Sequence, residues 1–280
     1  MLVSNEVSQL IDMIDNYKIQ KKIIGFVPTM GALHEGHLEL IKVAKKECYI
    51  VISSIYINPT QFNNTTDLAK YPRTLDSDTK LLSENGCDLV FCPNDGEMYN
   101  KNEVINIDFG AIGNVLEGKY RKGHFNGVGL IISKFFNIVR PDIAYFGQKD
   151  FQQFTVIKML VENLKFNVKL RCIPTIRAKS GLALSSRNMR LSEAGKEKAV
   201  AFYNSLSKAK KNLLEGISVK EVIKEAKIQF EKEEIELEYF EVVNSDTFVI
   251  INSMEVGENA AICVAGYVEG IRLIDNMLLN

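Results

Sequence analysis

Residues 23–28 (IIGFVP) form a short apolar run, and apolar positions recur three and four apart through 36–46, so a strand followed by a helix is predicted. Residues 49–57 (YIVISSIYI) are almost all apolar or β-branched, the pattern of a strand covered on both faces. A helix is predicted over 74–84, stopped by Asn85-Gly86, and a strand over 88–92. Helical spacing returns over 128–139 and ends at Arg140-Pro141. A strand at 143–146, a helix at 151–164 and a strand at 168–173 complete the run. Repeated β-α-β units imply a parallel sheet with right-handed crossovers. The expected fold class is α/β, a doubly wound, Rossmann-like parallel sheet.

The pattern changes near Pro174. All six prolines and all three histidines lie at or before that residue. The tail carries a long Lys/Glu-rich helical stretch (SEAGKEKAVAFYNSLSKAKKNLLEG), read as a solvated helix surface. Ser218-x-x-Glu221 then forms a capping box that opens a second helix. Strands are predicted over 237–243, 260–267 and 271–274, with antiparallel pairing. Two domains are therefore expected, a Rossmann-like one over 1–175 and a smaller α+β one over 176–280.

The bulk numbers narrow the functional classes. The 280 residues are 46% hydrophobic and 25% charged, ordinary for a globular protein. Net charge is −1, so no global basic field attracts nucleic acid or an anionic membrane. No apolar run approaches the roughly 20 residues needed to cross a bilayer. The N-terminal stretch MLVSNEVSQLIDMID lacks the cationic-then-apolar order of a signal peptide. Cys48, Cys87, Cys92, Cys172 and Cys263 are odd in number and contain no C-x-x-C, which favours buried free thiols. A cytoplasmic location is expected.

Any bound anion must then be held by local donors. The segment Pro28-Thr-Met-Gly-Ala-Leu-His34-Glu-Gly-His37 lies between the first strand and the first helix. Ligands of open α/β sheets bind at the carboxyl ends of the strands, and a helix starting there offers free N–H groups to a phosphate. Gly31 and Gly36 permit close backbone approach, and the two imidazoles can stabilise developing charge. As an isolated pair they read more readily as surface histidines on a turn, but their place after the first strand and their being two of only three histidines in the chain favour the phosphate reading. A zinc site is disfavoured, because the metalloprotease pattern spaces its histidines one residue further apart and no third ligand follows.

Other segments fall at the same sheet edge. Phe146-Gly147-Gln148-Lys149-Asp150 ends a later strand; Lys149 suits phosphate as a point charge, and Gln153 suits a small polar substrate. Asp150 serves either as a helix cap or as a ribose contact. Asn58-Pro59-Thr60-Gln61-Phe62 adds an amide after the second strand. Leu184-Ser185-Ser186-Arg187 offers hydroxyl donors and a guanidinium early in the second domain. Arg121-x-x-His124-Phe125 reads either as a further cation and imidazole or as a structural turn.

Together these segments resemble the pantothenate synthetase family of the HIGH-motif nucleotidyltransferase superfamily. The resemblance rests on PTMGALHEGH, NPTQF, YPRT at 71–74, GHFNGV at 123–128, PDIAYFGQKDFQQ from Pro141 and GLALSSRN from Gly181, in the family's order and spacing. It implies ATP-dependent condensation of (R)-pantoate with β-alanine through a pantoyl adenylate. The expected products are pantothenate, AMP and pyrophosphate, on the way to coenzyme A. It also implies Mg²⁺ accompanying ATP, a homodimer, and a second domain acting as a lid.

Carried onto this chain, the resemblance gives an ATP site of Met30, Gly31, Ala32, Leu33, His34, Glu35, Gly36 and His37. Gly147, Gln148, Lys149, Asp150, Ile176, Leu184, Ser185, Ser186 and Arg187 join it. His37, His34, Lys149 and Arg187 would carry the chemistry, with His37 the proton donor. Gln61 and Gln153 would hold pantoate, and Gln61 would also touch β-alanine. Asp78 corresponds to an acidic position near the Mg²⁺–pyrophosphate region. Thr60 departs from the family's usual Met.

Four other readings compete. A superfamily member that stops at nucleotide transfer to a phosphorylated acceptor lacks a use for NPTQF and GQKDFQQ. An aminoacyl-tRNA synthetase calls for an RNA-binding surface that the charge balance does not supply. A dinucleotide-dependent oxidoreductase needs G-x-G-x-x-G after the first strand, and the Gly127-x-Gly129 pair lacks the third glycine. A non-enzymatic ATP-binding module is the remaining alternative.

Overall fold

The computed structural model describes residues 1–101, 104–254 and 257–279. It divides into two compact units, one of Met1–Gly147 and Gln153–Pro174, the other of Gln148–Gln152 and Thr175–Asn280.

The first unit contains β1 (Leu2–Ser4), α1 (Val7–Ile19), β2 (Ile24–Thr29), α2 (Glu35–Glu47) and β3 (Ile50–Ile55). The short helix α3 (Thr65–Ala69) follows, then α4 (Leu75–Glu84), β4 (Leu89–Phe91) and two more short helices, α5 (Asp95–Met98) and α6 (Leu116–Tyr120). The unit is completed by α7 (His124–Val139), β5 (Ile143–Gly147), most of α8 (Phe151–Leu164) and β6 (Lys169–Ile173). The strands form one six-stranded sheet in the order β1-β4-β3-β2-β5-β6, and every pairing is parallel. This is the doubly wound α/β sheet that the alternation of patterns predicts, with an edge strand, β1, added.

Neighbouring strand residues feed opposite cores, as a two-residue period requires. Phe26, Ile52 and Phe91 bury on one face with Leu10, Ile14 and Phe135, while Val27, Val51 and Val90 bury on the other with Ile41 and Tyr145. Phe135 sets its ring edge-on to Phe26 at 5.5 Å and to Phe91 at 6.3 Å between centroids, a favourable aromatic geometry. The order of strands reverses between β2 and β5, which makes the crevice beyond their carboxyl ends the topological switch point where such sheets bind ligands.

The second unit contains α9 (Glu193–Leu214), α10 (Val219–Lys232), β7 (Glu236–Asn244), β8 (Ala260–Val268) and β9 (Ile271–Leu278). The three strands pair antiparallel in the order β7-β8-β9. Phe202 of α9, Phe230 of α10 and Phe240 of β7 meet in its core, the first pair edge-to-face and the second tilted, with centroids 5.1 and 6.3 Å apart. Ser192 caps α9 by accepting the Gly195 N–H, and Ser218 caps α10 by accepting the Glu221 N–H. The tail pattern stops its last strand at 274, whereas β9 runs on to Leu278 through Asp275 and Asn276, both buried. Among the described residues no helix is long and apolar enough to cross a membrane.

Candidate active site at the switch point

The turn between β2 and α2 is built from polar side chains that accept backbone N–H groups. Gly31 and Ala32 both adopt positive φ (78° and 50°), a concave backbone whose successive N–H groups point one way. Asp78, buried on α4, fills that concavity: Oδ2 accepts the Ala32 N–H and Oδ1 the Leu33 N–H, each at 2.9 Å. Thr74 Oγ1 donates to the same Oδ2 at 3.0 Å. Thr29 Oγ1 ties the turn to β3 by accepting the Gly31 N–H and donating to the Ser54 carbonyl at 2.6 Å. The glycine at 31 is required twice over, by its φ and because an added Cβ would stand 2.9 Å from Asp78 Oδ2.

His34 and His37 then cap α2 reciprocally. His34 Nδ1 accepts the Gly36 N–H at 3.1 Å, and His37 Nδ1 accepts the His34 N–H at 3.3 Å. A backbone amide only donates, so each neutral ring carries its proton on Nε2. The rings lie tilted at 37° to one another with centroids 4.1 Å apart. Two imidazoles thus present Nε2–H donors at the positive end of a helix. Gly36 makes room for the fold of the first ring, since a Cβ there would lie 2.9 Å from His34 Nδ1.

The 3-10 turn Pro59–Gln61 follows β3 and is pressed against α7. Gly127 allows this, because a Cβ on it would meet the Thr60 carbonyl oxygen at 2.4 Å. The Gly127-x-Gly129 pair is therefore a packing feature within α7 and not a dinucleotide turn. The Gly127 carbonyl accepts from Asn58 Nδ2, which also donates to Gln61 Oε1 at 3.1 Å. That bond fixes the Gln61 amide: its oxygen is used and its Nε2 is the donor end, directed at Met30 Sδ at 3.2 Å. Thr60 Oγ1 and the Tyr99 hydroxyl both reach Asn58 Oδ1, at 3.0 and 2.6 Å. His124 is buried with Nδ1 2.9 Å from the Gln61 carbonyl, and Arg121 pairs with Glu117 at 3.6 Å. Gln153 is half-buried on α8.

The remaining predicted residues, Gly147 at the end of β5 apart, lie in the second unit. Lys149 is half-buried, with Nζ 3.8 Å from the exposed Asp150 carboxylate. Residues 176–184 form a small hairpin: Leu184 N–H donates to the Ile176 carbonyl, and Arg177 bridges to Ala183. It delivers Ser185, whose Oγ accepts the Arg187 N–H and starts the 3-10 turn Ser186–Arg190. Ser186 is buried; Arg187 is half-buried and donates to the Arg272 carbonyl at 3.4 Å. Tyr99 and the β9 residues below are parts that the sequence motifs did not single out, and the motifs did not show the clamp that Asp78 makes or the amide contacts of Asn58. Their signal is burial of a polar group, which one sequence does not display.

A doubly wound sheet whose first crossover opens on this imidazole pair defines a HIGH-motif nucleotide-binding enzyme. Residues 2–278 match the family model described as pantoate-beta-alanine ligase. The pantothenate synthetase of Cytophaga hutchinsonii is 44% identical over 281 residues, covering 100% of this chain and 99% of the relative. That of Azobacteroides pseudotrichonymphae is 46% identical over 92% of each chain. Among solved structures, the pantothenate synthetase of Thermus thermophilus superposes with a TM-score of 0.93 at 36% identity, covering 100% of this chain and 99% of that one. The pantoate-beta-alanine ligase of Francisella tularensis, solved complexed with beta-gamma ATP and beta-alanine, gives 0.83 at 35% identity, covering 100% and 98%. The chain belongs to the pantoate-beta-alanine ligase family.

Proposed function

We propose that this protein joins (R)-pantoate to β-alanine with ATP, giving pantothenate, AMP and pyrophosphate. The observation that carries the reading is the His34–His37 pair, whose Nδ1 atoms are occupied by backbone N–H groups and whose Nε2–H donors stand at a helix head beside the switch point. Family membership and the named relatives support it.

In the first step a pantoate carboxylate oxygen attacks the α-phosphorus of ATP. The bond from that phosphorus to the bridging oxygen breaks, and pyrophosphate leaves with the bond pair. A carboxylate is a weak nucleophile, so the site must position it in line and neutralise charge growing on phosphate oxygens. Residues 30–37, 147–150, Ile176 and 184–187 are proposed to hold ATP. His34 and His37 donate hydrogen bonds to its phosphates, and Lys149 and Arg187 supply positive charge. Gln61, donor end outward from Asn58, and Gln153 hold pantoate, whose carboxylate and hydroxyl oxygens accept. In the second step the neutral amine of β-alanine, beside Gln61, attacks the activated carbonyl. The amine loses a proton, the carbonyl carbon–oxygen bond breaks and AMP departs, leaving the amide.

Mg²⁺ is proposed to enter as part of the ATP substrate. Asp78 does not fit as its ligand, because three donors already occupy the carboxylate. Among the described residues no group of three His, Cys, Asp or Glu side chains is arranged to hold a metal. An ion carried by phosphate and water oxygens suits such a site. A cytoplasmic homodimer, with the second unit serving as the lid, completes the proposal, supported by the family resemblance.

The test is mass spectrometry of products from ATP, Mg²⁺, pantoate and β-alanine. Pantothenate and AMP in equal amounts, with pyrophosphate release dependent on pantoate, is the expected result. A nucleotide conjugate of a phosphorylated acceptor, or no turnover, would contradict it.

A further inference from the structure

Two polar residues sit buried side by side in the last strand, where apolar side chains would cost nothing to bury. Asp275 is 4% exposed and Asn276 3%. Burial of a carboxylate and an amide persists only when their hydrogen bonds are made, and here both are. Asn276 Nδ2 donates to the carbonyls of Gln148 and Lys149, each at 2.9 Å, and Asn276 Oδ1 accepts from Gln148 Nε2 at 3.2 Å. Asp275 takes both arms of Arg177, at 2.5 and 2.9 Å, a bidentate pair of the strong kind.

Consecutive strand residues point to opposite faces, so one dipeptide can grip two separate segments. On one side Asn276 holds the backbone that carries Lys149. On the other Asp275 holds Arg177, the residue at the foot of the hairpin that delivers Ser185, Ser186 and Arg187. Arg177 is further braced by the Gly181 carbonyl at 3.2 Å and by the face of Tyr203 at 4.7 Å. Earlier on β9, the Arg272 carbonyl accepts from Arg187 itself.

We propose that Asp275 and Asn276 are positioning residues for the adenylation step, a frame on β9 that sets the spacing between the Lys149 and Arg187 loops. The proposal rests on the reading above that these two cations contact ATP. Both belong to the second unit, whereas Gln61 and Gln153, assigned to pantoate, belong to the first. Damage to the frame therefore reaches ATP and spares pantoate.

Asn276→Asp replaces two donated hydrogen bonds by repulsion between a carboxylate and two carbonyls. The expected effect is a rise of about tenfold or more in KM for ATP, the size of one or two lost hydrogen bonds, with KM for pantoate changed less than about twofold. Asn276→Ser, which keeps one shorter donor, gives a smaller shift in the same constant and serves if the first variant does not fold. Asp275→Asn, which leaves Arg177 half-paired, moves the same constant in the same direction. Lys149→Ala is the control for the parent reading. If Lys149→Ala raises KM for ATP and the β9 variants leave it unchanged, the frame is refuted. An equal loss in every kinetic constant with a lower melting temperature refutes it too, as a merely structural role. If Lys149→Ala itself leaves KM for ATP unchanged, the assignment of Lys149 to ATP falls first.

Discussion

The Asp78 carboxylate accepts the backbone N–H of Leu33 across 45 residues of chain, with its other oxygen on Ala32. One acidic side chain on α4 thereby sets the path of the turn that positions both histidines. The side chain expected near the Mg²⁺–pyrophosphate region is thus the keystone of the turn.

Asp78→Asn keeps the shape but puts an NH₂ where an acceptor is needed. One buried N–H then loses its partner and meets another donor, at a cost of about 1–3 kcal/mol. Thermal unfolding should show that loss. Pantoate-dependent pyrophosphate release should fall at least tenfold, since misplacing the turn misplaces both imidazoles. Unchanged release would show that the turn holds its shape without the carboxylate.

Thr60 stands where relatives of the resembling family usually carry Met. Its hydroxyl joins Tyr99 on Asn58 Oδ1, but the Tyr99 contact is the shorter, 2.6 against 3.0 Å. The Gly127 carbonyl independently fixes the donor end of Asn58. Thr60→Met should therefore leave KM for pantoate within about threefold, on the scale of less than one net hydrogen bond. Steady-state kinetics with varied pantoate check this, and a tenfold rise would mean that the hydroxyl, not the backbone carbonyl, orients the amide pair.

All five cysteines are free. Burial pushes the Cys92 and Cys172 thiols up to about 11 and Cys87 to about 12, because a thiolate is poorly solvated there. At pH 8, three units below, roughly one Cys92 or Cys172 side chain in a thousand is the reactive thiolate. A thiol-reactive dye at pH 8 should label these cysteines slowly in the native protein and fast after unfolding, with rates climbing steeply toward pH 11. Rapid native labelling at Cys92 or Cys172 would contradict the burial seen.

The parallel sheet was legible because β3 lies in a nearly apolar run bounded by turns, and because α8 shows uninterrupted helical spacing over Phe151–Leu164. Where prediction and structure differ, a tertiary contact explains the difference. The pattern starts the seventh helix at 128, but α7 begins at His124; its first turn lacks a capping side chain and contains Gly127, demanded by the Thr60 carbonyl. It stops the last strand at 274 because Asp275-Asn276 reads as a turn until their partners on distant segments are known. The short β1 leaves Leu2 and Val3 half-exposed and carries too few residues to show a period. The motifs named the candidate residues by type, as donors and cations. The tautomers of His34 and His37 and the orientation of Gln61 depend on backbone partners that only coordinates supply.

At the centre of the proposed chemistry are the Nε2–H donors of the imidazole pair, which stabilise charge as the carboxylate attacks the α-phosphorus. Single-turnover adenylation by His37→Ala, followed as pantoate-dependent pyrophosphate formation with saturating substrates, reads their contribution without interference from later steps. A slowing of at least ~10²-fold in a folded protein is expected, the loss of one donor aimed at developing charge. Adenylation at a near-normal rate would refute the role given to the pair.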